Sequence, residues 1–427
     1  MIGCPRLCSG VLVAGLLAVA PARADMVYEL APSAGGGASD NVSATGQHYG
    51  DTFTLVGGNA RLHYNGLRVT HVLSYGLAYS KYMQKRYPDT LSNSLSWLST
   101  ITPSPLWTLN LGANGTVARS SGIDVANAGT FIPESVVAGS SHYLTTNATE
   151  VLELRPSARW KYNEGLTATY LRYLDTTVND MNGMPAPLPR TIVVSLALRG
   201  EREVGRDAFN GEVDLANSST TYETNGAMPR PEGQFLIGRA LAGWRHDLSP
   251  VWSTSLQAGP AISYQVRPQG TAVLSPAVIA SLNYNRVPWF ASLTVTQTPA
   301  ANAFLGAAIL SDQAIARLAV PLTRSERLVA SAFGGYVYAR IAGTDGSLTR
   351  AYDQLLGGAS MGYKFPKVPL SAVASYSVVS QRGGMAPGFT VSSLAYQYVF
   401  VTLRSDLVWG RGTPALFGAA AEPVPGR

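Results

Sequence analysis

Residues 67–83 read LRVTHVLSYGLAYSKYM. Leu67, Val69, Leu73, Tyr75, Leu77 and Tyr79 fall on odd positions, and Arg68, Thr70, Ser74, Gly76, Ala78 and Ser80 on even ones. A period of two places successive side chains on opposite faces of a β-strand. The pattern recurs along the chain. Trp107, Leu109, Leu111 and Ala113 alternate with Thr108, Asn110, Gly112 and Asn114. Ile192, Val194, Leu196 and Leu198 alternate with Thr191, Ser195 and Arg199. Similar runs occupy 152–162, 252–264, 272–284, 354–365 and 370–381. No 3.6-residue period of comparable length appears, so the chain is expected to be all-β.

The connections alternate too. One set is short and rich in turn formers: Asn65-Gly66, Thr102–Pro105, Asn163–Gly165, Asp247–Pro250, Asn285-Arg286, Thr323–Glu326 and Pro366–Pro369. These suit tight hairpins. The other set is longer and more polar, near 84–90, 119–141, 177–189, 217–232, 299–304, 343–350 and 382–389. Short turns at one end and long loops at the other describe an up-and-down antiparallel barrel. Hairpin counting from Asp51 to Trp409 yields about 17 strands, and Val27–Ser33 supplies the one that makes the number even, about 18, as bacterial barrels require. A count of 16 also fits. A loop is expected near Gly35–Gly50.

Alternation alone does not say whether the apolar face meets a protein core or lipid. Three features favour lipid. The strands run about 10 to 15 residues, longer than the roughly 5–6 of globular strands and long enough to cross a bilayer at a tilt. Their apolar faces carry aromatic residues near the ends, among them Tyr64, Tyr79, Trp97, Trp107, Trp160, Tyr162, Trp244, Trp252, Tyr284, Trp289 and Tyr363, as interfacial girdles do. The opposite faces are Ser, Thr, Asn, Gln and Gly with scattered Arg, which suits a wet lumen. Composition agrees: 14% of residues are charged, against roughly 25% in soluble domains. His71 conflicts mildly, because it falls on the apolar face. The expected class is a transmembrane antiparallel β-barrel of about 18 strands in a bacterial outer membrane, with a secreted β-sandwich as the alternative.

The N-terminus departs from the pattern. An apolar segment, Cys8–Ala20, follows Arg6 and precedes Ala22-Arg-Ala24. This reads as a secretory signal peptide over 1–24, cleaved before Asp25, leaving a barrel over 25–410 and a short tail over 411–427. Cys4 and Cys8 both lie in the leader, so the barrel is expected to hold no disulfide. Without Arg6 and Arg23, 30 basic residues face 26 acidic ones. That balance is too mild for nucleic acid.

Little in the sequence carries catalytic chemistry. The five histidines, His48, His63, His71, His142 and His246, show no metal-ligand spacing, so neither metal nor other cofactor is expected. Gly358-Ala-Ser360-Met-Gly362 matches the nucleophile-elbow pattern, but that chemistry needs a sharp strand-to-helix turn and the motif lies inside continuous alternation. Glu212 and Asp214 share one polar face and are better explained as lumen charges that set selectivity than as a hydrolytic pair. No enzyme is expected. Arg155, Arg159, Lys161, Arg199, Arg245, Arg317 and Lys364 lie on polar faces or beside short turns, which predicts a basic periplasmic mouth that would attract anions. Arg68, Arg239 and Arg340 sit deeper in their strands. Arginine is costly against lipid, so each is expected to face the lumen. Tyr336 and Tyr338 share parity with Arg340 and would then offer a stacking surface for sugar rings.

The segment Tyr28–Ser33 leading to Ser39-Asp-Asn41, followed by Leu62-x-Tyr64 turning at Asn65-Gly66 into a Tyr-rich strand, resembles the start of outer-membrane barrels linked to exopolysaccharide export, including the myxobacterial type. The resemblance covers the layout of the whole barrel. It implies a pore of about 18 strands that passes polysaccharide outward beside a periplasmic polysaccharide-export protein, and it implies no catalytic residues. The C-terminus departs from common barrels, since Leu407-Val-Trp409 is followed by a further tail. Two other functions fit the residues: a general or solute-selective diffusion porin, and a barrel-anchored surface protein using the loops at 119–141, 177–189 and 217–232.

Overall fold

A computed structural model of the protein describes residues 25–41, 50–85, 88–119, 142–174, 178–179, 185–186, 188–223, 233–267, 270, 272–302, 307–342, 347–386, 389–390 and 393–410. The expected leader and tail lie outside them. The long strands, in chain order, are β1 (Asp25–Ser39), β2 (Asp51–Asn65), β3 (Val69–Tyr82), β4 (Thr90–Ser104), β5 (Trp107–Arg119) and β6 (His142–Ser157). Then come β7 (Trp160–Tyr173), β8 (Leu188–Val204), β9 (Asp207–Glu223), β10 (Gly233–Asp247), β11 (Trp252–Arg267) and β12 (Ala272–Arg286). The last six are β13 (Trp289–Asn302), β14 (Ala307–Pro321), β15 (Leu328–Ala342), β16 (Leu348–Lys364), β17 (Leu370–Gly383) and β18 (Leu394–Ser405, resuming at Leu407–Gly410). Each pairs antiparallel with the next, and β1 pairs with both β2 and β18. The result is a closed, 18-stranded antiparallel barrel with no helix among the described residues. Closure removes the free edges that an open sheet would expose.

Cross-strand partners share a face, so parity can be followed round the wall. From Leu73 it passes to Trp97 and Ala113. From Leu256 it passes through Ala280, Val295 and Ala314 to Tyr336 and Leu355. Leu403 returns it through Ala34 and Val56 to Tyr79. This face is predominantly exposed and apolar, including Leu73, Leu77, Leu256, Leu293, Val401 and Leu403. In water such a continuous apolar belt would drive aggregation; against hydrocarbon it is the expected outer surface. Toward the short-turn end the belt carries Trp97, Trp107, Trp160, Trp244, Trp252 and Trp289 as a girdle. His71 belongs to it: its ring lies 5.6 Å from Tyr64 and 6.1 Å from Trp97, which explains an imidazole on an outward face.

Two local readings change. The hairpin between β6 and β7 turns at Ala158-Arg159 rather than at Asn163–Gly165. Gly165 lies within β7, opposite Val151 and Ala197, so good turn chemistry there is overridden by pairing on both sides. β1 also runs on to Ser39 and shortens the expected loop after Gly35. A further tight turn, Gly205-Arg206, joins β8 to β9, with Gly205 in the left-handed region at φ 66°, where side chains other than glycine are strained.

The wall is regular except between β10 and β14. Pro260 of β11 stands opposite Pro276 of β12. The β12–β13 ladder runs from Arg286↔Trp289 only as far as Val278↔Gln297. Continued by two residues, it would set Pro276 against Pro299. Proline offers no N–H to a ladder, so the upper parts of these strands separate at that level. β13 and β14 remain paired to their ends, through Asn302↔Ala307. Gly259 marks the other irregularity, for a Cβ there would collide with the Ala240 carbonyl.

Candidate functional site

The candidate site is the lumen, which divides into a charged half near the short turns and an apolar half near the long loops. The charged half is densest on the wall built by β6 to β10. Lys161 lies 2.8 Å from Glu153, which also meets Arg155. Arg199 lies 2.6 Å from Glu201, and Arg245 reaches Glu201 at 3.3 Å and Glu203 at 3.5 Å. Arg239 donates to Asp214 and, at 3.2 Å, to Glu212. On β1 and β2, Glu29 meets Arg61 at 3.9 Å and His63 at 3.4 Å. Glu29, Glu153, Glu201, Glu203, Glu212 and Asp214 thus each have a basic partner. Arg317 of β14, opposite lumen-facing Ser292, and Lys364 at the end of β16 have no ion-pair partner among the described residues. Arg68 and Arg159 lie in exposed turns at this mouth.

The half near the long loops is lined with rings and aliphatic groups instead of the small polar side chains expected of a lumen face. Tyr396, Tyr398 and Phe400 follow one another along the lumen face of β18, with ring centroids 6.2 and 6.1 Å apart. Phe53 and Tyr82 meet beside Phe400, their centroids 6.0 Å apart. A second cluster joins Phe235 and Ile237 of β10 to Ala307 and Ile309 of β14, Val337 and Ile341 of β15, and Tyr352 of β16. Outside the membrane band, the Tyr82 amide (3.1 Å) and the Tyr79 hydroxyl (2.9 Å) hold the Asp89 carboxyl below the usual carboxylate range.

Tyr336, Tyr338 and Arg340 do not face the lumen. They occupy the outward face of β15, opposite Ala314, Asp312 and Leu310. Arg340 lies 2.8 Å from Asp312, and its guanidinium sits 5.6 Å from the Tyr338 ring centre. The cost of an outward arginine is met by this ion pair near the long-loop end of the strand, where the head group reaches the interface. The inward face of β15 is itself apolar because it joins the lumen cluster, which left parity with no contrast to read.

Two carboxylates also interrupt the outward face. Glu150 stands opposite Leu111 and Leu166, and Glu164 opposite Leu152 and Leu198. Neither has an ion-pair or hydrogen-bond partner among the described residues. Charge on a lipid face costs stability, less for carboxylates than for arginine. Glu150→Leu is therefore expected to raise the unfolding free energy in lipid vesicles by about 1 kcal/mol; an unchanged or lower value would show that this carboxylate meets something other than acyl chains.

Together, a closed 18-stranded barrel, a lipid-compatible outer belt and an aromatic girdle at the short-turn end define a transmembrane β-barrel of the outer-membrane type. No family model matches the chain, and no curated protein sequence matches it. Among solved structures it is similar to the ferric citrate transporter FecA in the unliganded form, at 8% identity over 91% of this chain and 79% of that one, with a TM-score of 0.44. It is similar to the siderophore receptor PirA from Acinetobacter baumannii at 8% identity, over 90% of this chain and 80% of that one, with a TM-score of 0.46. The outer membrane protein opdK from Pseudomonas aeruginosa aligns at 9% identity over 91% of this chain and all of its own length, with a TM-score of 0.43. Likenesses this distant carry nothing about cargo.

Proposed function

We propose that this protein is a selective outer-membrane conduit for hydrophilic solutes, with a preference for anions. What supports the preference is the charge balance at the short-turn mouth: most lumen carboxylates there have a basic partner, and among the charged groups without one Arg68, Arg159, Arg317 and Lys364 outnumber Asp25 and Asp247. Unmatched cations at a mouth walled by low-dielectric material focus a positive potential on the entrance. Small hydroxyls and amides elsewhere on the lower wall offer weak, repeated hydrogen bonds, strong enough for entry and weak enough for release.

The test is the reversal potential of purified barrels in planar bilayers under a salt gradient. Wild type is expected to favour anions, and Arg317→Gln with Lys364→Gln is expected to weaken the preference. The effect should shrink as salt rises, because the Debye length falls to about 3 Å at 1 M. A cation-selective wild type would overturn the reading.

A second reading is polysaccharide export beside a periplasmic export protein. The row of Tyr396, Tyr398 and Phe400 favours it, since stacked rings along a lumen suit sugar faces. Gene deletion separates the two: loss of surface polysaccharide with intact small-anion uptake would favour export, and the reverse would favour the conduit.

A further inference from the structure

We propose that the upper β13–β14 hairpin, with arms Thr298–Asn302 and Ala307–Ser311, is an inward-folded gate that closes the lumen and opens by swinging back onto the free edge of β12. The inference rests on the conduit reading for its consequence, though not for its geometry.

The hairpin lies inside the wall. Pro299, Ala308 and Leu310 have outward parity, yet they share one small pocket with lumen-facing Ser263, Val273 and Ser275 of β11 and β12. A hairpin in line with the wall could not turn its lipid face toward the lumen face of its neighbours. Burial agrees: Ala307, Ala308, Ile309, Leu310 and Ser311 are all buried, without alternation. On the abandoned edge, Leu274 is 75% exposed. The hairpin's other face joins Phe235 and Ile237 of β10, four strands away, and Val337 of β15. The backbones of β10 and β14 approach within 8 Å, a distance that three intervening strands forbid in an open barrel.

Two arrangements compete for the same residues. Folded in, the hairpin buries Ile309 against Phe235 and Ile237 but leaves the β12 and β13 edges unpaired. Swung out, it would resume the ladder in the register already set by Val278↔Gln297, placing Ser275 opposite Ala300. Pro276 and Pro299 would meet at the first such level, and neither can donate. The prolines weaken the swung-out ladder without forbidding it, which is how a sheet can hold two states close in energy.

The two states can be trapped separately in the full chain with Cys4→Ser and Cys8→Ser. Ile237→Cys with Ile309→Cys would bond across the lumen in the folded-in state. Ser275→Cys with Ala300→Cys would bond along the wall in the swung-out state. Cross-linking is read by gel mobility and current in planar bilayers. Both bonds are expected to form under oxidation. The first should lower conductance several-fold and the second raise it several-fold, each reversed by dithiothreitol. Failure of the 275–300 bond would overturn the motion, and equal conductance with both bonds formed would overturn the gate. If both bonds form and no variant conducts, the conduit reading falls while the motion stands.

Discussion

Arginine at Leu293 is expected to lower the barrel's unfolding free energy by about 2–4 kcal/mol, whereas arginine at the next residue, Thr294, is expected to change it by less than about 1 kcal/mol. Leu293 pairs with Leu282 and Ala316 on the outward face, and Thr294 with Ser281 and Ile315 on the inward one. Leu293 stands four residues beyond Trp289 of the girdle, near the middle of an apolar band about 25 Å tall. A guanidinium there has neither water nor a partner, while one at 294 enters the lumen. Urea unfolding in lipid vesicles, read by tryptophan fluorescence, measures the difference. Equal losses at the two positions would remove the lipid face from the account.

Replacing Arg239 is the second substitution with a large expected effect. Arg239 is 25% exposed and holds two carboxylates, Glu212 and Asp214, which are 13% and 18% exposed. Arg239→Ala strands both charges on one wall. Removing one partner of a fully buried pair costs about 3–5 kcal/mol; these groups face a wet lumen, so a loss of about 1–3 kcal/mol is expected after allowing for screening. Because the lower lumen then gains two unmatched negative charges, the reversal potential should move toward cation preference. Adding Glu212→Gln and Asp214→Asn to Arg239→Ala should recover most of the stability and cancel the shift in selectivity. A triple variant no more stable than the single one would mean that the arginine acts through packing rather than charge.

The architecture was legible because a membrane wall imposes a simple rule on every strand. Period-two alternation, unequal connections and ring-bearing strand ends each follow from one face meeting lipid and the other a lumen. Near the short turns Arg199, Glu212, Asp214 and Arg239 have inward parity, where polar and apolar residues contrast sharply along each strand. The rule failed where the lumen is apolar. On β15, Phe333 and Val337 face inward while Tyr336 and Tyr338 face outward, so no contrast told Arg340 which side it occupied. The turn at Ala158-Arg159 failed for a different reason: Asn163-Glu-Gly165 has the better turn residues, and only pairing with β6 and β8 holds Gly165 in a strand.

By itself, the sequence determined that this chain is a closed antiparallel barrel with about 18 strands, which face of most strands meets lipid, and which end bears the short turns. These are properties of single strands and adjacent pairs, written in residues a few positions apart. The tertiary structure alone decided that the lumen face near the long loops carries buried apolar clusters. Pro260, Pro276 and Pro299 are separated by 16 and 23 positions in the chain, and only strand register brings them to one level. Phe235, Ile309 and Val337 meet only because the wall parts at those prolines and the hairpin turns inward.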